Sequence, residues 1–309
     1  MEAHTALETQ PDALVAAGSA KQFVCAGTYE MRREDGVERR HGEIYTLDGR
    51  GAIVCSVSTG AVLDLLPLGS QLLSAQSEST VGLHTLLEDG GLVEERSFRT
   101  EEDSRVLCLA VAAAESSVYV GRSNGTVVEI DGFFHGREAV SVLRAHEYEV
   151  WCCFLDTDTP RFLYTGSTDC FARGWCLRSS QSPCFSIRHP SGVCSVYQEG
   201  SSVWTGSYDG VLREWDKRSL GEAVREYSGT KGGGIWRIKK TDDGLGFLLA
   251  CVSGGAARVS CSLLSTGWAG EAESLCYGVT EAADTVFWTD FYGRKVFRSL
   301  LRSHDDPGE

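Results

Sequence analysis

Short apolar runs punctuated by turn residues recur along nearly the whole chain. Cys25-Ala26-Gly27-Thr28-Tyr29, Leu72-Leu73-Ser74-Ala75 and Leu249-Ala250-Cys251-Val252 are of this kind. Each is as long as a strand and is bounded by Gly, Ser, Asn or Asp, the residues that tolerate tight turns, so the pattern predicts a succession of hairpins. Seven such hairpins can be counted. They centre on Gly27, Leu73, Gly121, Gly166, Gly206, Cys251 and Trp288, with a spacing of roughly forty residues that drifts as loops vary in length.

Two of the seven units are close copies. Ala145-His146-Glu147-Tyr148-Glu149-Val150-Trp151, Tyr164-Thr165-Gly166-Ser167-Thr168-Asp169 and Arg173-Gly174-Trp175 form the first. Arg188-His189-Pro190-Ser191-Gly192-Val193-Cys194, Trp204-Thr205-Gly206-Ser207-Tyr208-Asp209 and Arg213-Glu214-Trp215-Asp216 form the second, and a third opens at Lys231 with Gly232-Gly233-Gly234-Ile235-Trp236-Arg237. His, Ser, Asp and Trp at matched offsets mark a WD40 blade. The expected fold is therefore an all-β, WD40-type propeller of seven blades, one domain over 1–309 with 302–309 as a polar tail. The last hairpin partner, Arg294 to Leu301, leaves the seventh blade short of an outer strand. The segment His4 to Gln10 is expected to supply it and so remove both free sheet edges. Glu30 to Arg40 and Glu94 to Arg105, rich in charge, read as solvated surface loops.

Composition narrows the partners. The chain has 309 residues with 35 Gly and only 6 Pro, which suits many tight turns, and 43 acidic against 29 basic residues give a formal charge of −14. Phosphate backbones and anionic membranes would be repelled, so neither nucleic acid nor membrane is expected, and a basic protein or cationic group fits better. The 12 Cys lie mostly inside apolar runs with no CxxC pairing, so no metal and no cofactor are expected. The first residues lack a basic and then apolar leader and no run reaches membrane-spanning length, so a reducing cytoplasmic setting and a monomer are expected.

Ser167, His146 and Asp169 invite a hydrolase-triad reading, and Ser207, His189 and Asp209 repeat it. A nucleophile needs one exposed position beside an oxyanion hole, not a copy in successive blades. The sets His146, Ser167, Asp169, Trp175 and His189, Ser207, Asp209, Trp215 are therefore expected to be buried hydrogen-bonded tetrads that hold each blade. Trp151, Cys194 and Trp236 each follow the first β-branched residue of an inner strand. Strand alternation and ring symmetry place all three at one mouth of the central channel. Two indole faces there make an aromatic wall suited to a quaternary ammonium, with Glu149 adding a carboxylate. Arg237 is expected to face away and pair with an acid unless a bulge turns it.

Ala145-His146-Glu147-x-Glu149-x-Trp151, Arg173-Gly174-Trp175, His189-x-x-Gly192-Val193-Cys194-Ser195, Thr205-Gly206-Ser207-Tyr208-Asp209 and Gly233-Gly234-Ile235-Trp236-Arg237-Ile238-Lys239 resemble one WD40 family, the diphthine methyl ester hydrolases of diphthamide synthesis, known by an older name as diphthine methyltransferases. Cys25-Ala26-Gly27-Thr28-Tyr29, Leu248-Leu249-Ala250-Cys251, Ser274-Leu275-x-Tyr277-Gly278 and Phe291-Tyr292 extend the likeness in the same order. The sequence departs from the family after Lys239, after Gly278, and at Gly293, where an Asp is expected. The resemblance implies hydrolysis of the methyl ester of diphthine on translation elongation factor 2, a substrate that carries a trimethylammonium group. Trp151, Trp236, Arg237 and Tyr208 would bind it. Cys194 as nucleophile, Glu149 activating a water, and His146 as base are the open catalytic assignments. A WD40 scaffold that docks proteins through the same mouth, without catalysis, is the competing reading.

Overall fold

The structure, a computed structural model, describes residues 3–300 apart from 104, 115, 160–161 and 179–181. Its strands fall into seven four-stranded antiparallel sheets, each a blade of one ring. The inner strands are Gln10–Ala17, Val62–Leu68, Cys108–Ala114, Val150–Leu155, Val193–Glu199, Ile235–Lys240 and Val279–Ala282. Contacts run from each inner strand to the next, so the apolar faces of neighbouring blades bury one another as alternation requires.

The ring closes through the N-terminus. Ala3–Ala6 pairs with Lys295–Leu300, with Ala3 opposite Arg298 and Ala6 opposite Lys295, as the outer strand of the seventh blade. The closing strand is shorter than the segment expected from the sequence, because Gln10 already belongs to the inner strand of blade one. The seventh blade is complete despite its divergent sequence. At Gly293, where the resemblance led to an expected Asp, a Cβ would run into the Asp290 carboxylate as it is placed here. The polar tail 302–309 lies outside the described residues.

The charged segment of blade one is not a loop. Phe23–Glu34 and Val37–Asp48 are twelve-residue strands that keep pairing outward, Met31 opposite Arg40 and Arg33 opposite Glu38. Asp35 and Gly36 turn the hairpin at φ 50° and 81°, the left-handed pair that a two-residue turn needs. The first half of Glu94 to Arg105 likewise belongs to the outer strand Leu92–Arg99. Charge here marks a ribbon wetted on its faces rather than irregular backbone.

A recurrent glycine sets the spacing between blades. Cβ atoms at Gly27, Gly121, Gly166 and Gly206 would come within 2.4–2.9 Å of Val62, Val150, Val193 and Ile235, the first inner-strand residue of the following blade. The Gly-Ser step in the repeats is thus a seat for a β-branched side chain. Among the described residues no helix is long and apolar enough to cross a membrane.

Candidate functional site

The mouth of the channel is built by one backbone irregularity repeated around the ring. The register slips by one residue at the start of six inner strands, between Pro11 and Ala13, Val62 and Asp64, Cys108 and Ala110, Val150 and Cys152, Val193 and Ser195, and Ile235 and Arg237. Each slip is a β-bulge, which re-aims the extra residue. The bulged residues are Asp12, Leu63, Leu109, Trp151, Cys194 and Trp236, so the three positions singled out in the repeats are half of a six-membered set.

Three of the six, with their neighbours, form an apolar patch at the mouth. Cys194, Trp236 and Val252 pack together, with Trp151, Leu275 and Tyr277 against them. The Trp151 and Trp236 ring centroids are 4.9 Å apart and inclined by 55°. Tyr277 lies 5.0 Å from Trp236 on the other side, Tyr208 meets Trp236 edge-on at 6.4 Å, and Phe291 meets Tyr277 at 5.3 Å. Trp151 is oriented by its indole N–H, which donates to Thr168 Oγ1 at 2.7 Å. Around this patch Tyr148, Tyr208 and Tyr292 are exposed. The packed faces attract cations in proportion to how little water competes for them.

Arg237 forms the floor. The bulge beside it turns its guanidinium inward and across the channel, where Nη2 donates to the Leu63 carbonyl at 3.1 Å and pairs with Asp64 Oδ1 at 3.4 Å. Asp64 is held in turn by the Val111 N–H at 3.0 Å. This bridge from blade six to blade two lines a cavity of about 300 Å3 that also touches Trp151, Ser195 and Lys239. Burial lowers the pKa of Lys239, with Asp64 acting against that and Arg237 with it.

The expected catalytic residues do not assemble. Cys194 is 1% exposed, and burial lifts its thiol to about 12 against the opposing pull of Arg237. At neutral pH it is a packed thiol, not a nucleophile. His146 has both ring nitrogens engaged, Nδ1 with Asp169 at 2.9 Å and Nε2 with Thr165 Oγ1 at 2.7 Å. Burial lowers its pKa despite Asp169. It has no lone pair to offer a substrate. Glu149 stands at the rim just before Val150, half-buried, and its carbonyl accepts the Thr168 N–H at 3.2 Å.

The tetrads need one correction. Thr165, not Ser167, accepts the Trp175 indole N–H at 2.9 Å and meets His146. Thr205 does the same between Trp215 at 2.8 Å and His189 at 2.8 Å. Ser167 and Ser207 lie two residues further on, past the Gly and four residues from the positions paired with Trp175 and Trp215. They close the turn instead, accepting the N–H of Asp169 at 3.1 Å and of Asp209 at 3.4 Å. The second copy also differs from the first at its acid. Asp209 pairs with Arg213 at 2.8 Å, while His189 Nδ1 sits 3.3 Å from the Ile187 carbonyl. Blade two carries a third version, with His84 in the Trp position and its Nε2 2.9 Å from Ser74 Oγ.

Asp12 escaped the sequence reading, since Pro11-Asp12-Ala13 carries no repeat signature. Its only signal is register, for it precedes the apolar alternation of the first inner strand as Trp151 does in the fourth. It is 8% exposed, and no hydrogen bond to its carboxylate occurs among the described residues. Burial raises its pKa to about 7, with Arg237 opposing and Asp64 reinforcing the shift. Its charge acts in turn on Tyr277 of the aromatic cluster.

Comparison with known proteins places this geometry among relatives. The family model WD domain, G-beta repeat matches residues 137–176. The human protein named diphthine methyltransferase is 24% identical over 267 residues, 71% of this chain and 58% of its own length. The Schizosaccharomyces pombe protein of the same name is 27% identical over 232 residues, 71% of this chain and 69% of its own. A chain from the crystal structure of a mitotic checkpoint complex superposes with a TM-score of 0.78 over 97% of this chain and 91% of that chain at 13% identity. That last likeness is one of fold alone: a seven-bladed propeller.

Proposed function

We propose, for a chain whose sequence resembles the diphthine methyltransferases along most of its length, that it acts in diphthamide biosynthesis as an esterase. It hydrolyses the methyl ester of diphthine on translation elongation factor 2, releasing methanol and the carboxylate that later amidation requires. The observation that carries this reading is the pair of tilted indoles Trp151 and Trp236, ring centroids 4.9 Å apart, with Tyr277 against Trp236. Such faces hold a trimethylammonium group by its positive methyls without needing a hydrogen bond, which that group cannot make.

The rest of the mouth suits the same substrate. Tyr208 closes one edge of the cluster, and Glu149 sets a carboxylate at the rim. Arg237, fixed by Asp64 and the Leu63 carbonyl, supplies positive charge at the floor where an ester oxygen would gain negative charge. The formal charge of −14 favours approach of a cationic modified side chain. The partner is the elongation factor itself, and no nucleic-acid contact is needed.

The test is incubation of the purified chain with elongation factor 2 bearing the methylated intermediate. Mass spectrometry should find the loss of one methylene equivalent, with methanol released. No mass change with a folded protein that binds the factor would leave the scaffold reading. That reading draws on Tyr148, Tyr208 and Tyr292, exposed at 57%, 51% and 67% around the mouth, since exposed tyrosines anchor protein partners well.

A further inference from the structure

Ester hydrolysis at neutral pH needs a group that can take a proton from water and return it to the leaving alcohol. The mouth described above offers few. Cys194 is a sealed thiol, and His146 and His189 are held by Thr165 and Thr205 of their blades. Arg237 is bound to Asp64. Asp12 has a different standing. It is the one carboxylate among the six bulged residues, and the same backbone slip that aims Trp151 and Trp236 at the mouth aims it there too. Going round the ring from blade four to blade one, the mouth presents Trp151, Cys194, Trp236, then Tyr277 ahead of blade seven, then Asp12. A substrate whose ammonium rests on the indoles therefore has a carboxylate on the far side of Tyr277.

We infer that Asp12 is the general base of the reaction, acting through one water on the ester carbonyl while Arg237 faces the oxygen that becomes negative. The assignment rests on the esterase reading. In the first step the Asp12 carboxylate takes a proton as the water oxygen bonds to the carbonyl carbon, and the carbonyl π pair moves onto oxygen. The tetrahedral oxyanion then collapses, the carbon–methoxy bond breaks, and Asp12 returns the proton to the departing oxygen. Methanol and the free acid leave, the acid ionises to solvent, and Asp12 is again a carboxylate.

The surroundings explain why an aspartate, ordinarily a poor base, suffices. Arg237, Asp64 and Tyr277 are the charged and titratable groups that act on it from neighbouring strands. Burial outweighs the attraction of Arg237 and brings the group to about 7, where half the molecules hold a base strong enough to deprotonate water in the transition state. An unbonded buried carboxylate is costly to the fold, and such costs collect at working sites.

The experiment is a kinetic comparison of wild type, Asp12→Asn and Asp12→Glu on elongation factor 2 carrying the methylated intermediate. Asp12→Asn should lower kcat by about 100-fold or more with KM within about threefold, since the aromatic wall is untouched. Asp12→Glu should restore part of kcat. Wild-type kcat/KM should rise with pH through about 7 and level off, a profile that a packing role for Asp12 would not produce and that needs no variant to fold. Wild-type hydrolysis that persists in Asp12→Asn, or a flat profile from pH ~6 to ~8, overturns the assignment of Asp12 alone. Absence of hydrolysis by the wild type overturns the esterase reading and this one with it.

Discussion

At the scale of single residues, burial decides protonation more than charge pairing does. His84 and His189 are both brought to about 4 by burial, against about 6.5 in an unfolded chain. The folded state thus binds fewer protons, and their contribution is intact above pH ~6.5 and lost as pH falls toward 4, by up to about 3 kcal/mol each. Asp12 runs the other way. Its folded value of about 7 exceeds the unfolded one, so its ionisation weakens the fold as pH rises from about 4 through 7. Asp12→Asn should therefore be more stable than wild type at pH ~8 by roughly 1–4 kcal/mol, and its urea midpoint should fall more steeply between pH ~7 and ~5. Equal stability of the two proteins at pH ~8 would show that Asp12 is better solvated than its burial suggests. Thr165 is a second residue-scale case. Thr165→Val keeps shape but strips one acceptor from Trp175 and one partner from His146, and should cost about 1–3 kcal/mol in chemical denaturation.

Among elements, the inner strands carry both the blade spacing and the site. Gly206→Ala would push a methyl to 2.6 Å from Ile235, the residue just before Trp236, and should cost about 1–3 kcal/mol by thermal unfolding. Gly36→Ala is strained at φ 81° yet meets nothing, so its cost should be limited to the turn. Trp151 is the most exposed of the two wall indoles and can be tested without dismantling the core. Trp151→Leu should weaken binding of tetramethylammonium by about 5-fold or more, on a cation–π contribution of about 1 kcal/mol, while the melting temperature moves little. Titration calorimetry would read it, and unchanged affinity would place the cation elsewhere.

For the molecule as a whole, closure is the vulnerable feature. Among the described residues, the short strand Ala3–Ala6 alone pairs with the outer edge of Lys295–Leu300. Deleting residues 1–7 should lower the melting temperature and produce concentration-dependent association, seen by light scattering, as the bare edge pairs with other copies. A monomeric deletion of wild-type stability would mean that the interblade core alone holds the ring.

Much of this architecture is written in local pattern. Strand-length apolar runs, Gly-Ser steps and forty-residue spacing suffice for a seven-bladed ring, because each blade needs the next to bury its face, and the open seventh blade points to the N-terminus. The two tryptophans share one offset in the repeat, and each is the bulged residue at the start of its inner strand. What lay beyond the sequence depends on register and on contacts between distant segments. A bulge shifts facing by one residue without any change in residue type, which is why Arg237 turns into the channel. Thr165 rather than Ser167 meets Trp175 because Trp175 pairs with Leu163, two residues from Thr165 and four from Ser167. Asp12 is ordinary in its own segment. Only the closed ring sets it within reach of Arg237, Asp64 and Tyr277, more than fifty residues away, and removes the water that would have kept it an ordinary acid.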